Sequence, residues 1–588
     1  MLNNFIGGGQ VFLHKVRMFR QVLRTTVFVS VITGIILAWS FNHQSNKQID
    51  IDGAITYAKA QLAVTVHPAI SAISIGKPRA TVDAYSNDKL WQRNMSAYSV
   101  INGGKFKNAW DTAIKEAMLL GLKSLVFGSC AGLIVFIVWS YFGSNLKTDK
   151  KKEGSAEVLT PLQVKLKLQL MGKDSDLYIG NMPLVKDSET RHCLIMGSTG
   201  SGKTNLMHNL LPQVKQKEQP AIVIDQTGEM IARYYNPQRG DIIFNPFDGR
   251  SKNWDFWQDC STSEELERFS KILFSFNRKR SRSHSDPFWE QSAQYVFNDC
   301  AEYLIRTGNT SLTALKRLAI EANLEELQKK LKGTAAERYL NDDSKGVATS
   351  ILSTLATNAK PISYLSDDNT KGTFSLKEHF KNIKSGSNAW LFLSTKPSSR
   401  ELTLPLIACL TELGLSELMN IGIDQKRKVW CIFDELASLG NLPAFTPLMA
   451  EGRKYGACVV ACLQSLNQIY DHYGAYAGSS IFGQFGTCFF FRNTEPAIAK
   501  MFSSMCGSET ITRQQKNTSF GANDFRDGVS YQETEKKKEL VEYNQLASLA
   551  VGECYTLLPE PKVRLSKIQM PRDKGKDITQ GFMQKIIN

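Results

Sequence analysis

Residues 197–204 read Gly-Ser-Thr-Gly-Ser-Gly-Lys-Thr, and no other stretch restricts the possible folds of this chain as much. The pattern is a full GxxxxGK[ST] match, preceded by the apolar run His192 to Met196 and followed by a helical pattern from Asn205 to Val214. Strand, glycine-rich turn and helix in that order make a phosphate cradle, because glycines let backbone N–H groups curl around phosphate oxygens at a helix N-terminus. Gly197, Ser198, Thr199, Gly200, Ser201 and Gly202 are therefore expected to bind the phosphates of ATP. Lys203 is expected to neutralise the β- and γ-phosphates, and the Thr204 hydroxyl to ligate Mg²⁺.

Such a cradle needs carboxylates to complete it. Lys428-Val-Trp-Cys-Ile-Phe-Asp434-Glu435 is an apolar strand ending in two acids, with Asp434 expected to hold the metal and Glu435 to polarise the attacking water as general base. A third apolar run, Ala457 to Cys462, leads into Leu463-Gln464-Ser465, where the Gln464 amide would sense the γ-phosphate. Arg453, in Glu451-Gly-Arg-Lys-Tyr-Gly456, reads either as an arginine finger reaching a neighbouring subunit's nucleotide or as a solvated helix-end arginine. Asp225 closes the apolar run from Ala221 and either orients the site or caps a turn.

Further strand-like runs recur at 192–196, 221–225, 241–244, 388–394, 429–433, 457–462, 486–491 and 553–558, with helical patterns between several of them. That alternation predicts an α/β fold with a mainly parallel sheet, helices on both faces and nucleotide at the carboxyl ends of the strands. Between about 258 and 375 the rhythm turns helical. Ser261-x-x-Glu264 reads as a capping box, and Leu266, Phe269, Leu273 and Phe276 recur at helical spacing. Similar patterns cover 288–304, 311–331 and 347–355, so an all-helical domain is expected as an insertion. Its run Arg278-Lys-Arg-Ser-Arg282 is either a solvated loop or a contact for DNA phosphates.

Two uncharged apolar stretches, 25–41 and 124–142, are each long enough at ~1.5 Å per residue to cross a ~30 Å hydrocarbon layer. Trp39, Trp139 and Tyr141 stand at their ends, where aromatic rings favour the interface. Lys15, Arg17, Arg20 and Arg24 precede the first stretch, and Lys147, Lys150, Lys151 and Lys152 follow the second. The positive-inside rule then puts both termini in the cytoplasm and the loop 43–115 outside. A cleaved signal peptide and a buried core helix are the competing readings of the two stretches; the absence of a small-x-small site after Phe41 favours an uncleaved anchor. The eleven cysteines avoid residues 42–129 and form no C-x-x-C pair, which suits buried thiols in a reducing compartment. An excess of 71 Lys and Arg over 56 Asp and Glu favours a polyanionic partner such as nucleic acid or an anionic membrane surface.

In this order, the two spans, the GSTGSGKT loop, Ile224-Asp225-Gln-Thr-Gly228-Glu229, Asn245-Pro-Phe-Asp, Asp286-Pro-Phe-Trp289, Trp430-Cys-Ile-Phe-Asp434-Glu435 and Gln464-Ser465 resemble the TraD-type conjugative coupling proteins, relatives of the FtsK and HerA translocases. The resemblance covers nearly the whole chain. It implies a RecA-like P-loop motor domain with an inserted all-helical domain, preceded by two transmembrane helices. The implied domains are a membrane region 1–150, a nucleotide-binding domain in two parts, 151–257 and 376–588, and the all-helical domain 258–375. The resemblance also implies an inner-membrane homo-hexamer that hydrolyses ATP and drives single-stranded DNA with bound relaxase to a type IV secretion channel. On that likeness Lys203, Thr204, Asp434, Glu435, Arg453 and Gln464 inherit the roles given above. Two other functions compete. One is a docking receptor for protein effectors that uses ATP as a conformational switch. The other is a chromosome-segregation pump, for which more spans and a DNA-reading C-terminal domain are expected.

Overall fold

The computed structural model describes residues 2–44, 49–71, 80–145, 150–151, 157–276, 287–341, 345–368, 370, 372–519 and 528–585. The basic run 278–282, Asp286, Lys147 and Lys152 lie outside the described residues. The chain divides into two compact units, residues 1–151 with 511–536, and residues 152–510 with 537–588.

In the first unit, α1 (Leu2–Gln44) and α2 (Gly104–Asn145) carry the two apolar stretches, and both are longer than the sequence reading allowed. Their apolar windows, Val16–Ser40 and Gly104–Tyr141, are long and apolar enough to cross a membrane and are 0% and 11% buried, so their side chains face outward. The two helices meet through small residues: a Cβ on Gly128 would lie 2.7 Å from the Ser30 carbonyl oxygen, a closeness only glycine permits. The expected outside loop is ordered in part, as the helix Ile51–Ser71 and the antiparallel strands Thr81–Ser86 and Lys89–Ser96. Its small core gathers Tyr57, Ala60, Ala84, Ala97, Val100 and Phe106, and α2 already starts at Gly104, inside the span read as loop. The strands Ser508–Ser519 and Gly528–Glu539 form a three-stranded sheet with Lys150–Lys151.

The second unit is built on a ten-stranded sheet. Its strands are β1 (Val158–Leu159), β2 (Cys193–Met196), β3 (Ala221–Asp225), β4 (Ile242–Phe244), β5 (Trp390–Ser394), β6 (Val429–Phe433), β7 (Ala457–Leu463), β8 (Thr487–Phe491), β9 (Glu553–Leu557) and β10 (Leu565–Gln569). They lie in the order β1-β10-β9-β8-β2-β7-β6-β3-β5-β4. From β8 to β4 every neighbouring pair is parallel. The sheet as a whole is mixed, because β9 runs antiparallel to both β8 and β10. The parallel strands are apolar throughout, as burial on both faces requires: every residue of β3, β5, β6, β7 and β8 is buried. The eight runs read from sequence are all present; β1 and β10 were not anticipated.

One face of the sheet carries α3 (Lys203–Gln216), whose Leu206, Met207, Leu210, Leu211 and Val214 are buried. The other face joins a continuous core with α4 (Ser263–Phe276), the helices Pro287–Arg306 and Lys345–Ala359, and α5 (Arg400–Asn420). The capping box of α4 stands one residue later than expected. Thr262 Oγ1 accepts from Glu265 N–H at 3.3 Å, and Glu265 Oε2 accepts from Thr262 N–H at 3.0 Å. The pattern at 311–331 is not one helix but Leu312–Lys316, a π-type turn Arg317–Glu321, and Leu324–Lys330. A third apolar helical segment, Pro397–Asn420, is 83% buried: here hydropathy serves the core of the sheet unit.

Candidate nucleotide site

The carboxyl ends of β2, β3, β6 and β7 open on one cleft of about 440 Å³. Thr199, Gly200, Gly202, Lys203 and Thr204 line it on the loop side, with Asp434, Glu435 and Gln464 opposite. The glycine-rich loop is tied to the ends of adjacent strands, Gly197 N–H donating to Leu463 O at 3.3 Å and Ser198 N–H to Arg492 O at 2.9 Å. Gly202 caps α3 with φ at +115°, and a Cβ there would stand 3.1 Å from Gly552 Cα, so conformation and space both demand glycine. Lys203 Nζ donates to the Gly197 and Ser198 carbonyl oxygens at 2.7 and 3.1 Å, which holds the ammonium group inside the loop. Burial pulls its pKa below the usual lysine value, with the Glu435 and Asp434 carboxylates opposing.

β6 is flanked by β7 and β3, with Phe433 opposite Ala461 and Ile224, and this register delivers Asp434 and Glu435 to the cleft. Among the described residues no group hydrogen-bonds the Asp434 carboxylate. Burial, with the Asp225 and Glu229 carboxylates adding and the Lys203 and Arg400 cations opposing, pushes its pKa up to about 6. A half-buried carboxylate that faces the cleft with no hydrogen-bond donor of its own is a ready ligand for a hard cation. Glu435 Oε2 accepts from Gln464 Nε2 at 2.5 Å, and Gln464 Oε1 accepts from Thr199 Oγ1 at 2.9 Å. A hydrogen-bonded bridge thus runs from the phosphate loop to the second acid. Glu435 Oε1 is buried with no partner among the described residues, and burial raises the pKa of the carboxyl while the Gln464 bond opposes.

Not every expected residue lines the cleft. Gly197, Ser198 and Ser201 stand behind it, with Ser201 wholly buried and its backbone oxygen accepting from Gly552 N–H at 2.9 Å. Arg453 is exposed in the 3₁₀ turn Gly452–Tyr455 and is not among the lining residues. Asp225 caps a turn: Oδ1 accepts from Gly228 N–H at 2.8 Å and from Thr227 N–H at 3.1 Å, and Oδ2 from Ile231 N–H at 2.9 Å. Sequence reasoning missed Asn205, Gln226, Thr227 and Arg400, all of which line the cleft. Gln226 Nε2 donates to the Glu435 backbone oxygen at 3.2 Å and also bonds Ser438. Arg400 Nη2 donates to Gln226 O at 3.0 Å. No contiguous motif marks Arg400; it reaches the cleft because it opens the helix after β5, whose neighbour β3 feeds the cleft.

The residues Asn245-Pro-Phe-Asp248, noted for their order in the chain, serve anchorage. Asp248 accepts from Met583 N–H at 3.2 Å, and Gly249 N–H donates to Met583 O at 2.6 Å. A C-terminal strap, 571–585, is held there and reaches the cleft rim, where Asp573 N–H donates to Asn205 Oδ1 at 2.7 Å.

The sheet unit resembles solved structures of the bacterial conjugative coupling protein TrwB. An unbound form of TrwB lacking its N-terminus aligns with a TM-score of 0.63 at 21% identity, covering 74% of this chain and 97% of that one. TrwB in complex with ADP and Mg²⁺ aligns equally, with a TM-score of 0.63 over 74% and 98% of the two chains. These likenesses establish the fold: α/β, with a mixed sheet and helical regions. In sequence, coupling protein TraD of Escherichia coli K12 is 30% identical over 464 residues, 78% of this chain. The match spans 64% of TraD, less than two thirds of its length. Residues 176–571 match the family described as the type IV secretion-system coupling protein DNA-binding domain. As that match takes in more than half of the sequence, the chain belongs to the coupling proteins of conjugative type IV secretion.

Proposed function

We propose that this chain is an inner-membrane motor that hydrolyses ATP and pumps DNA, with its bound relaxase, towards a type IV secretion channel. The carrying observation is the Thr199–Gln464–Glu435 bridge across a cleft that also presents Lys203, Thr204 and Asp434. The glycine-rich loop and Lys203 would hold the β- and γ-phosphates, and TrwB supplies a precedent in its complexes with ADPNP and with ADP and Mg²⁺. The donors here fit Mg²⁺: Thr204 and the unbonded Asp434 carboxylate are hard oxygen ligands on facing walls of the cleft. Bound there, Mg²⁺ would neutralise charge on the phosphate oxygens.

Glu435 takes the proton from the attacking water, and its raised pKa suits a general base. Gln464 reports the γ-phosphate by exchanging one of its two bonds. Arg453, exposed and outside its own cleft, acts as the finger for a neighbouring subunit in a homo-hexamer. Single-stranded DNA is the cargo, and the helical segment 258–375 is an insertion between the two parts of the motor, 151–257 and 376–588, packed on the sheet through a shared core. Residues 1–150 anchor it, with two spans and both termini in the cytoplasm.

The test is steady-state ATPase of the full chain in lipid nanodiscs, with and without single-stranded DNA, at several protein concentrations. DNA stimulation abolished by Lys203→Ala and by Glu435→Gln is the expected result. ATP binding without stimulation at any concentration would refute the motor and leave a receptor for protein effectors that ATP switches.

A further inference from the structure

Arg400 has no role in the scheme above, yet it lines the same cleft as Lys203, Asp434 and Glu435. It opens α5 directly after the 3₁₀ turn Pro397–Ser399, at the cleft end of that 21-residue helix. Of the five N–H donors of a guanidinium, one is spent on Gln226 O. The Arg400 Nε is buried and has no hydrogen-bond partner among the described residues. Buried donors left unspent are unfavourable, and an array of phosphate oxygens satisfies them with charge-assisted bonds. Gln226 O also accepts from Thr395 Oγ1 at 3.3 Å, which fixes the carbonyl on which Arg400 leans.

The helix behind Arg400 is a buried rod. Leu404, Leu406, Ile407 and Leu410 are wholly covered, and α5 packs against α4, the first long helix of the helical segment. Cys409 Sγ lies 3.6 Å from Phe269 O, and Arg268 bonds Ser416 Oγ two turns further along α5. At ~1.5 Å per residue, α5 extends about 30 Å from the cleft, with the shorter α4, about 20 Å long, packed beside it.

We propose that Arg400 is a second cation of the nucleotide site, supplied by the same chain, that binds the terminal phosphate and transmits its presence to the helical segment along α5. The proposal rests on the nucleotide-hydrolysing reading above. It differs from the finger role of Arg453 in acting within one subunit, so it needs no assembly. It also predicts discrimination between di- and triphosphate, which a merely structural arginine does not provide.

The experiment measures binding of fluorescent ADP and of a fluorescent non-hydrolysable ATP analogue to the full chain in lipid nanodiscs, for wild type, Lys203→Ala, Arg400→Ala and Arg400→Lys. Arg400→Ala should weaken the ATP analogue by roughly ten- to a hundredfold, the ratio for one charge-assisted hydrogen bond, and leave ADP within about twofold. Arg400→Lys should recover part of the loss. Amide-hydrogen exchange in Ser263–Phe276 should change on binding the ATP analogue in wild type and not in Arg400→Ala. Equal weakening of both nucleotides would make Arg400 a structural residue, and unchanged affinity with unchanged exchange would remove it from the site; either overturns the proposal. Wild type that binds neither nucleotide would overturn the nucleotide reading itself, and this inference with it, whereas normal binding lost in Lys203→Ala upholds that reading whatever Arg400→Ala does.

Discussion

Replacing Asp434 by asparagine should make the nucleotide-free protein more stable while abolishing hydrolysis. The carboxyl is pushed from an ordinary 3.8 up to about 6, first by burial and then by the nearby Asp225 and Glu229 carboxylates. Between those two values the folded chain holds a proton that the unfolded chain has released. Stability therefore falls as pH rises through that window, and the loss is complete above about 6. At ~1.4 kcal/mol for each pKa unit the loss amounts to about 3 kcal/mol at pH 7.5, an upper figure because part of the carboxyl remains solvated. Asparagine has the same shape and no charge, and no hydrogen bond to the carboxylate is lost. The assay is urea unfolding of the full chain in detergent without nucleotide or Mg²⁺, at pH 7.5 and again at pH 5. The Asn variant should unfold at higher urea at pH 7.5, and the gap should shrink to about half at pH 5, midway through the window. A variant as stable as wild type or less so at pH 7.5, or a gap indifferent to pH, would refute the claim that burial and the neighbouring carboxylates outweigh the Lys203 and Arg400 cations at this site.

Three further outcomes follow from the same geometry. Glu435→Gln should keep nucleotide affinity while lowering turnover ~10²- to 10⁴-fold, the range for a positioned general base, and near-normal turnover would remove Glu435 from that role. Asp225→Ala leaves the N–H groups of Thr227, Gly228 and Ile231 without their acceptor, so the urea midpoint should drop by the equivalent of ~2–5 kcal/mol; an unchanged midpoint would contradict the cap. Gly128→Leu forces a side chain into the 2.7 Å approach to Ser30, and detergent-solubilised protein should aggregate at lower temperature by an amount reflecting ~1–3 kcal/mol of overpacking.

Most of the sheet could be read from the chain because its parallel strands are buried on both faces and so appear as unbroken apolar runs, as in Trp430-Cys-Ile-Phe433. The strands β1 and β10 escaped for the converse reason: β1 is two residues long, and β10 alternates, with Lys567 outward between buried Ser566 and Ile568. The phosphate loop and the acid pair were legible because each is contiguous in sequence and its chemistry depends on that contiguity. Arg400 and Gln226 were not, since what makes them cleft residues is the parallel register of β5 beside β3, with Ser394 opposite Asp225. The displaced capping box at Thr262 shows a milder limit: Ser261, Thr262 and Ser263 all suit an N-cap, with Glu264 and Glu265 both available as partner. Asp225 was left between two readings because the sequence does not reveal that three backbone donors would converge on it.

The helix α5 also bears on how the chain is made. Its segment Pro397–Asn420 has the length and apolarity of a span, and an emerging chain presents it to the insertion machinery before β6 and β7, which help to cover it, have been synthesised. Glu412 lies in the C-terminal half of that segment, and a charged residue at the centre of an inserting helix costs ~2.5–3.5 kcal/mol. In the finished protein the same carboxylate is fully buried and accepts from Ala444 N–H at 3.0 Å, holding the loop that follows the acid pair. One side chain thus discourages the bilayer during synthesis and fastens a loop beside the site afterwards, so exchanging it for leucine would risk a wrongly threaded topology as well as a looser fold.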